Sequence, residues 1–128
     1  MSSEHGTIAG YGFALSTRRQ DWEGFAERHV PELDHDAVTD ILNGFAEDCE
    51  ELRHAFPDLV FADPGDQICG DTVPAAFART TFVNTCRLTA GPIVQVQPSA
   101  QALAQLDLVK RAGLAVEDPG WRSYENIE

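Results

Sequence analysis

The sequence predicts an α+β protein, with a small sheet of about four or five strands and about three helices packed on one face. The sheet is expected to be mostly antiparallel, with room for one parallel pairing. Three observations predict this class. An alternating apolar run opens the chain, the clearest helical periodicity follows over residues 36–55, and apolar runs separated by proline–glycine turns fill much of the second half. The 128 residues show no repeat, low-complexity tract or linker, so one domain is expected. A chain of this size buries roughly two-thirds of its unfolded surface and needs no metal or disulfide to hold its core.

Residues 8–16 alternate as a strand does, with Tyr11, Phe13 and Leu15 on one face and Gly10, Gly12 and Ala14 on the other. The small face allows another element to approach closely. GYGF is not a dinucleotide fingerprint, because no third glycine and no immediate helix follow. Thr17-Arg-Arg-Gln20 has capping-box spacing and predicts a first helix from about Arg18 to His29, with Trp22, Phe25 and Ala26 inward and Pro31 ending it. Asp34 is the expected cap of a second helix, about Asp36 to Ala55. Its inward stripe is Val38, Ile41, Leu42, Phe45, Cys49, Leu52 and Phe56.

Pro57-Asp58 breaks that helix, Leu59-Val60-Phe61 reads as a short strand, and Asp63-Pro-Gly-Asp66 supplies a type II turn. A longer strand is expected over about Ala76–Leu88, with Ala78, Thr80, Phe82, Cys86 and Leu88 on one face and Arg79, Thr81, Thr85 and Arg87 on the other. Ala90-Gly-Pro92 then turns the chain into a hairpin partner over Ile93–Gln97. Pro98-Ser99 opens a last helix with Leu103, Leu106 and Val109 inward and Lys110 and Arg111 in the final turn, where cations suit the helix dipole. Gly113 fits the left-handed position after the helix, and Leu114 folds back onto Val109. A second Asp-Pro-Gly turn leads to a short edge strand, Trp121–Tyr124.

Twenty-one acidic residues against nine basic ones give a net charge of −12. Such a surface repels nucleic acid and anionic membranes and suits a basic protein partner. No apolar run approaches the roughly twenty residues of a membrane span. MSSEHGT lacks the pattern of a signal peptide, so a cytoplasmic location is expected. Cys49, Cys69 and Cys86 are odd in number without C-x-x-C spacing, which predicts reduced thiols rather than a disulfide framework or zinc site.

GYGF near the start, FPDLVFADPGD midway, a threonine-rich strand and AGLAVEDPGW near the end together resemble small uncharacterised proteins encoded by bacteriophages, prophages and their bacterial hosts. The resemblance implies an accessory role acting on a host protein and carries over no catalytic residues.

The chemistry-bearing motifs are sparse. Glu51-Leu-Arg-His54 has the Glu-x-x-His spacing of a di-iron bundle, but only one copy is present, and both side chains fall opposite the apolar stripe. His5, His29 and His35 lack zinc-helix spacing, and no G-x-S-x-G elbow occurs. Cys69 sits among Asp66 and Asp71, the wrong field for a thiolate. Asp58, Asp63, Asp66 and Asp71 miss the calcium-loop pattern. Arg79 and Arg87 are expected to pair with the chain's own carboxylates. No cofactor is implied.

What stands out is the outer side of the second helix. Asp36, Asp40, Glu47, Glu50 and Glu51 fall within about 100° of arc opposite the stripe, flanked by Asp34 and Asp48 and opposed only by Arg53. On a continuous helix they would span about 22 Å. That charge spacing approaches the roughly 3.4 Å of a single nucleic-acid strand. The expectation is a small cytosolic protein, phage- or prophage-encoded, that binds and inhibits or redirects a host protein with a basic surface, one that handles nucleic acid or serves in defence. Direct contact with nucleic acid or membrane is not expected, and oligomeric state is not fixed. The rival readings are an immunity protein against a toxic nuclease, a small hydrolase or transferase using Cys69 or a histidine, and a virion structural protein.

Overall fold

A computed structural model describes residues 5–63, 73–85 and 97–127. Strand β1 (His5–Ala14) is followed by helices α1 (Arg19–His29), α2 (His35–Asp40) and α3 (Glu50–Ala55), strands β2 (Leu59–Ala62), β3 (Ala75–Ala78) and β4 (Val83–Thr85), helix α4 (Ala100–Arg111) and strand β5 (Gly120–Ile127). The predicted α+β class holds. Every observed strand pairing is antiparallel, so the predicted room for a parallel pair is not used. β1 and β2 do run in the same direction, but β3 lies between them.

β1 organises the sheet. One edge pairs with β3 (Gly12↔Phe77) and then with β4 (Ala9↔Val83), while the other edge carries β5 from Gly12↔Gly120 to His5↔Ile127. The small face anticipated for β1 has a specific use at Gly12, where a Cβ would overlap the carbonyl oxygen of Ala76. Only glycine permits that approach.

The long strand expected over residues 76–88 is interrupted. Arg79–Thr81 form a single 3-10 turn, and the register against β1 slips by three residues across it. Thr81 repairs the gap. Its hydroxyl donates to the Ala78 carbonyl at 2.7 Å and accepts the Tyr11 backbone N–H at 2.9 Å, replacing a ladder bond the turn removes. Arg79 leaves the strand face and donates to the carbonyls of Pro57 and Leu59 rather than to carboxylates. The turn at residues 63–66 beyond Asp63, the strand end at 86–88, Arg87, and the hairpin over 90–96 lie outside the described residues.

α1 begins one residue later than expected, and its cap is not the Thr17/Gln20 box. Arg18 holds the N-cap position with no side-chain cap bond, and just ahead of it buried Ser16 ties the entry to the helix, its hydroxyl accepting the Arg18 N–H and donating to the Asp21 carboxylate at 2.6 Å, while its carbonyl accepts the Trp22 indole N–H at 2.7 Å. Thr17, one position later, is exposed.

The predicted second helix is the main correction. It ends at Asp40 as α2 and passes through a π-turn (Ile41–Phe45) with Gly44 at φ 99°. A 3-10 turn (Ala46–Asp48) and extended Cys49 then lead into α3. Asp34 caps α2 as expected, accepting the Ala37 N–H at 2.8 Å. The break moves the inward position from Phe45 to Ala46. Phe45 is 54% exposed, whereas Ala46 is buried beside Cys49, Leu52 and Phe56.

α4 is capped by Ser99, which accepts the Ala102 N–H. It ends as predicted: Gly113 takes φ 85°, its N–H meets the Lys110 carbonyl, and the Leu114 N–H meets that of Val109. Its inward residues are Ala102, Leu106 and Val109; Leu103, expected inward, is 42% exposed. The main core lies between the helices and one sheet face, around Phe13, Leu15, Trp22, Phe25, Ile41, Leu52, Leu59 and Leu106. Ile8, Ala62, Ala75 and Phe77 form a second cluster on the opposite face.

Candidate functional site

The helical layer built from α1, α2 and α3 carries most of the molecule's net charge. Residues 19–60 hold twelve of the 21 acidic side chains against three arginines, Arg19, Arg28 and Arg53, so −9 of the −12 falls in about one third of the chain. Burial of Trp22, Phe25, Val38, Ile41 and Leu52 against the sheet turns these acids outward.

The break at Gly44 replaces the anticipated straight row with a set of concavities. Asp36 and Asp40 from α2 and Glu51 from α3 gather with Asp34, Asp48, Cys49 and the ring of Phe45 around a cavity of about 270 Å³. A second, about 350 Å³, lies between α1 and α2, with Glu23, Glu27 and Asp34 at its margin and Ala26, Leu33 and Val38 beneath. The largest, about 490 Å³, joins Glu50 and Glu51 to Glu32, His29, His54 and Pro31. The five predicted site residues therefore divide. Asp36, Asp40 and Glu51 converge, and Glu50 turns toward the neighbouring hollow, which Glu51 also lines. Glu47 stands exposed on the 3-10 turn outside all three.

Neutralisation within this layer is slight. Arg53 approaches Glu50 at 3.9 Å with both side chains well exposed, and Arg19 reaches Glu23 at 4.0 Å and Thr39, fastening α1 to α2. Among the described residues, no cation lies within ion-pair distance of Asp36, Asp40, Glu47, Asp48 or Glu51. Asp36 and Asp40 face each other at i, i+4, a like-charge spacing that costs a helix roughly 0.2–0.5 kcal/mol.

Among the described residues the alternative chemistries fall on Cys49, Glu51, His29 and His54. Cys49 is buried and its thiol donates to the Glu51 carboxylate at 3.4 Å; burial, with Glu51 adding to it, pushes the thiol up to about 11. A group held so firmly protonated is a poor nucleophile. Glu51 and His54 share the largest hollow with His29, yet among the described residues no three such side chains are placed to hold a metal ion. Cys69, Asp66, Asp71 and Cys86 lie outside the described residues, as does the side chain of His5. Among the described residues, no helix is long and apolar enough to cross a membrane.

Sequence reasoning found the acids but missed Phe45 as their neighbour. The available signal was Gly44, a helix-weakening residue in the middle of a periodic stretch. No protein-family model, curated protein or solved structure matches this chain.

Proposed function

We propose that this chain is a small interaction protein that docks a basic protein surface through the acidic α1–α3 layer and thereby inhibits or redirects its partner. The observation that carries this reading is the concentration of nine net negative charges on one exposed layer, with Asp36, Asp40 and Glu51 gathered around exposed Phe45 and, among the described residues, no cation within ion-pair distance of them. Exposed carboxylates steer a cationic partner and speed encounter, while a solvent-exposed aromatic supplies the desolvated anchor that charge alone lacks. The partner class is a host protein with a basic surface, one that handles nucleic acid or serves in defence. The corresponding setting is a phage- or prophage-encoded protein acting in the bacterial cytosol.

The test is affinity capture from host lysate at low and high salt, comparing the native chain with the D40K/E47K/E51K variant. The proposal expects a basic protein retained at low salt, released at high salt, and lost with the variant. Equal retention by the variant would remove the acidic layer from the binding face.

A further inference from the structure

We propose that β5 is a dimerisation edge, along which a second copy of this chain adds its own β5 antiparallel and continues the sheet across a two-fold axis. β5 pairs with β1 over all eight of its residues, and among the described residues nothing pairs with its outer edge. Monomeric proteins guard such edges with proline, lysine, a bulge or brevity. β5 contains neither proline nor lysine. Its Arg122 does not guard the edge either, because the guanidinium turns back to the Glu117 carboxylate at 3.0 Å and to the carbonyls of Gly12 and Asp118.

On the helical side of β5 the described side chains, Trp121 and Ser123, are also open to solvent. Trp121 is 46% exposed and meets the Tyr11 ring edge-on at a centroid distance of 5.5 Å, and Ser123, two residues on, is exposed as well. A two-fold axis perpendicular to the sheet keeps both helical layers on one side and brings the Trp121 rings of the two copies into the trough between those layers. That placement covers an indole that otherwise faces water. It also joins the copies away from the strongly acidic helical layer. Residues 97–128 hold five acids and three bases, a net −2, against −9 for residues 19–60. Like-charged copies approach more easily through this weakly charged part than through the acidic layer.

The test is the solution mass of the full chain by sedimentation equilibrium or light scattering at micromolar to submillimolar concentration. The proposal expects twice the chain mass, a fall to the single-chain mass in W121K/S123K with unchanged far-ultraviolet circular dichroism, and no fall in D40K/E47K/E51K. A native chain that stays at the single-chain mass throughout overturns it, as does a double mass retained by W121K/S123K. Should that variant unfold, amide hydrogen exchange of the native chain decides: protection within residues 120–127 must rise with protein concentration, and concentration-independent exchange overturns the proposal.

Discussion

Replacing Gly44 with alanine discriminates sharply between the helix the sequence pattern suggests and the one the fold contains. In a continuous helix over residues 36–55, glycine to alanine at an interior position stabilises by roughly 0.8–1 kcal/mol. In the broken helix Gly44 holds φ 99° and ψ 15°, a conformation an L side chain adopts only at a cost of about 1–2 kcal/mol. The two arrangements therefore predict opposite signs, separated by about 2–3 kcal/mol. The assay is urea denaturation of both proteins, with the midpoint and slope fitted together, alongside thermal melting. A loss of 1–2 kcal/mol corresponds to a drop of very roughly 3–10 °C for a domain of this size. A rise in midpoint at unchanged slope would refute the break at Gly44, and with it the placement of Phe45 among the carboxylates.

Four further outcomes are expected. Gly12→Ala is severely destabilising, because the added methyl meets the Ala76 backbone rather than a movable side chain; thermal melting checks it, and a variant as stable as the native chain contradicts the close β1–β3 approach. Ser16→Ala costs about 1–3 kcal/mol in urea denaturation, since the Arg18 N–H and the Asp21 carboxylate lose a buried partner together. Asp40→Lys stabilises by roughly 0.4–1 kcal/mol at low salt as an i, i+4 repulsion with Asp36 becomes an attraction, while partner binding weakens; a loss of stability would contradict this. The Cys49 thiol, raised from 9.0 to about 11 in the folded state, makes the native protein hold its proton longer than the unfolded chain does. Its contribution is complete below pH 9 and is lost as pH climbs toward 11, so a Cys49→Ala variant should show a shallower alkaline decline in stability over that window.

How far the sequence foretold the molecule depends on whether a local signal had a competing tertiary one. The close of α4 was legible because Gly113 and Leu114 encode it within a few residues. Asp34 as a cap and the alternation of β1 were legible for the same reason. The second helix was misread because its apolar stripe tolerates a one-residue slip. Ala46 fills the inward place that the periodicity assigns to Phe45, and hydrophobic spacing alone does not weigh the glycine before it. The strand over residues 76–88 hid its interruption because Thr81 is a good strand residue whose hydroxyl also stands in for a ladder group. In the candidate site the identity of the acids was legible, but their grouping was not. Which carboxylates converge depends on the break, which turns Glu50 away and leaves Glu47 alone.

The most direct test of the acidic layer as a docking face is the amide footprint of the captured basic partner on isotopically labelled protein, followed by nuclear magnetic resonance at low salt. Perturbations are expected to concentrate over residues 34–51, including Phe45, and to fade as salt is raised. A footprint confined to α4 and β5, with residues 34–51 silent, would contradict it.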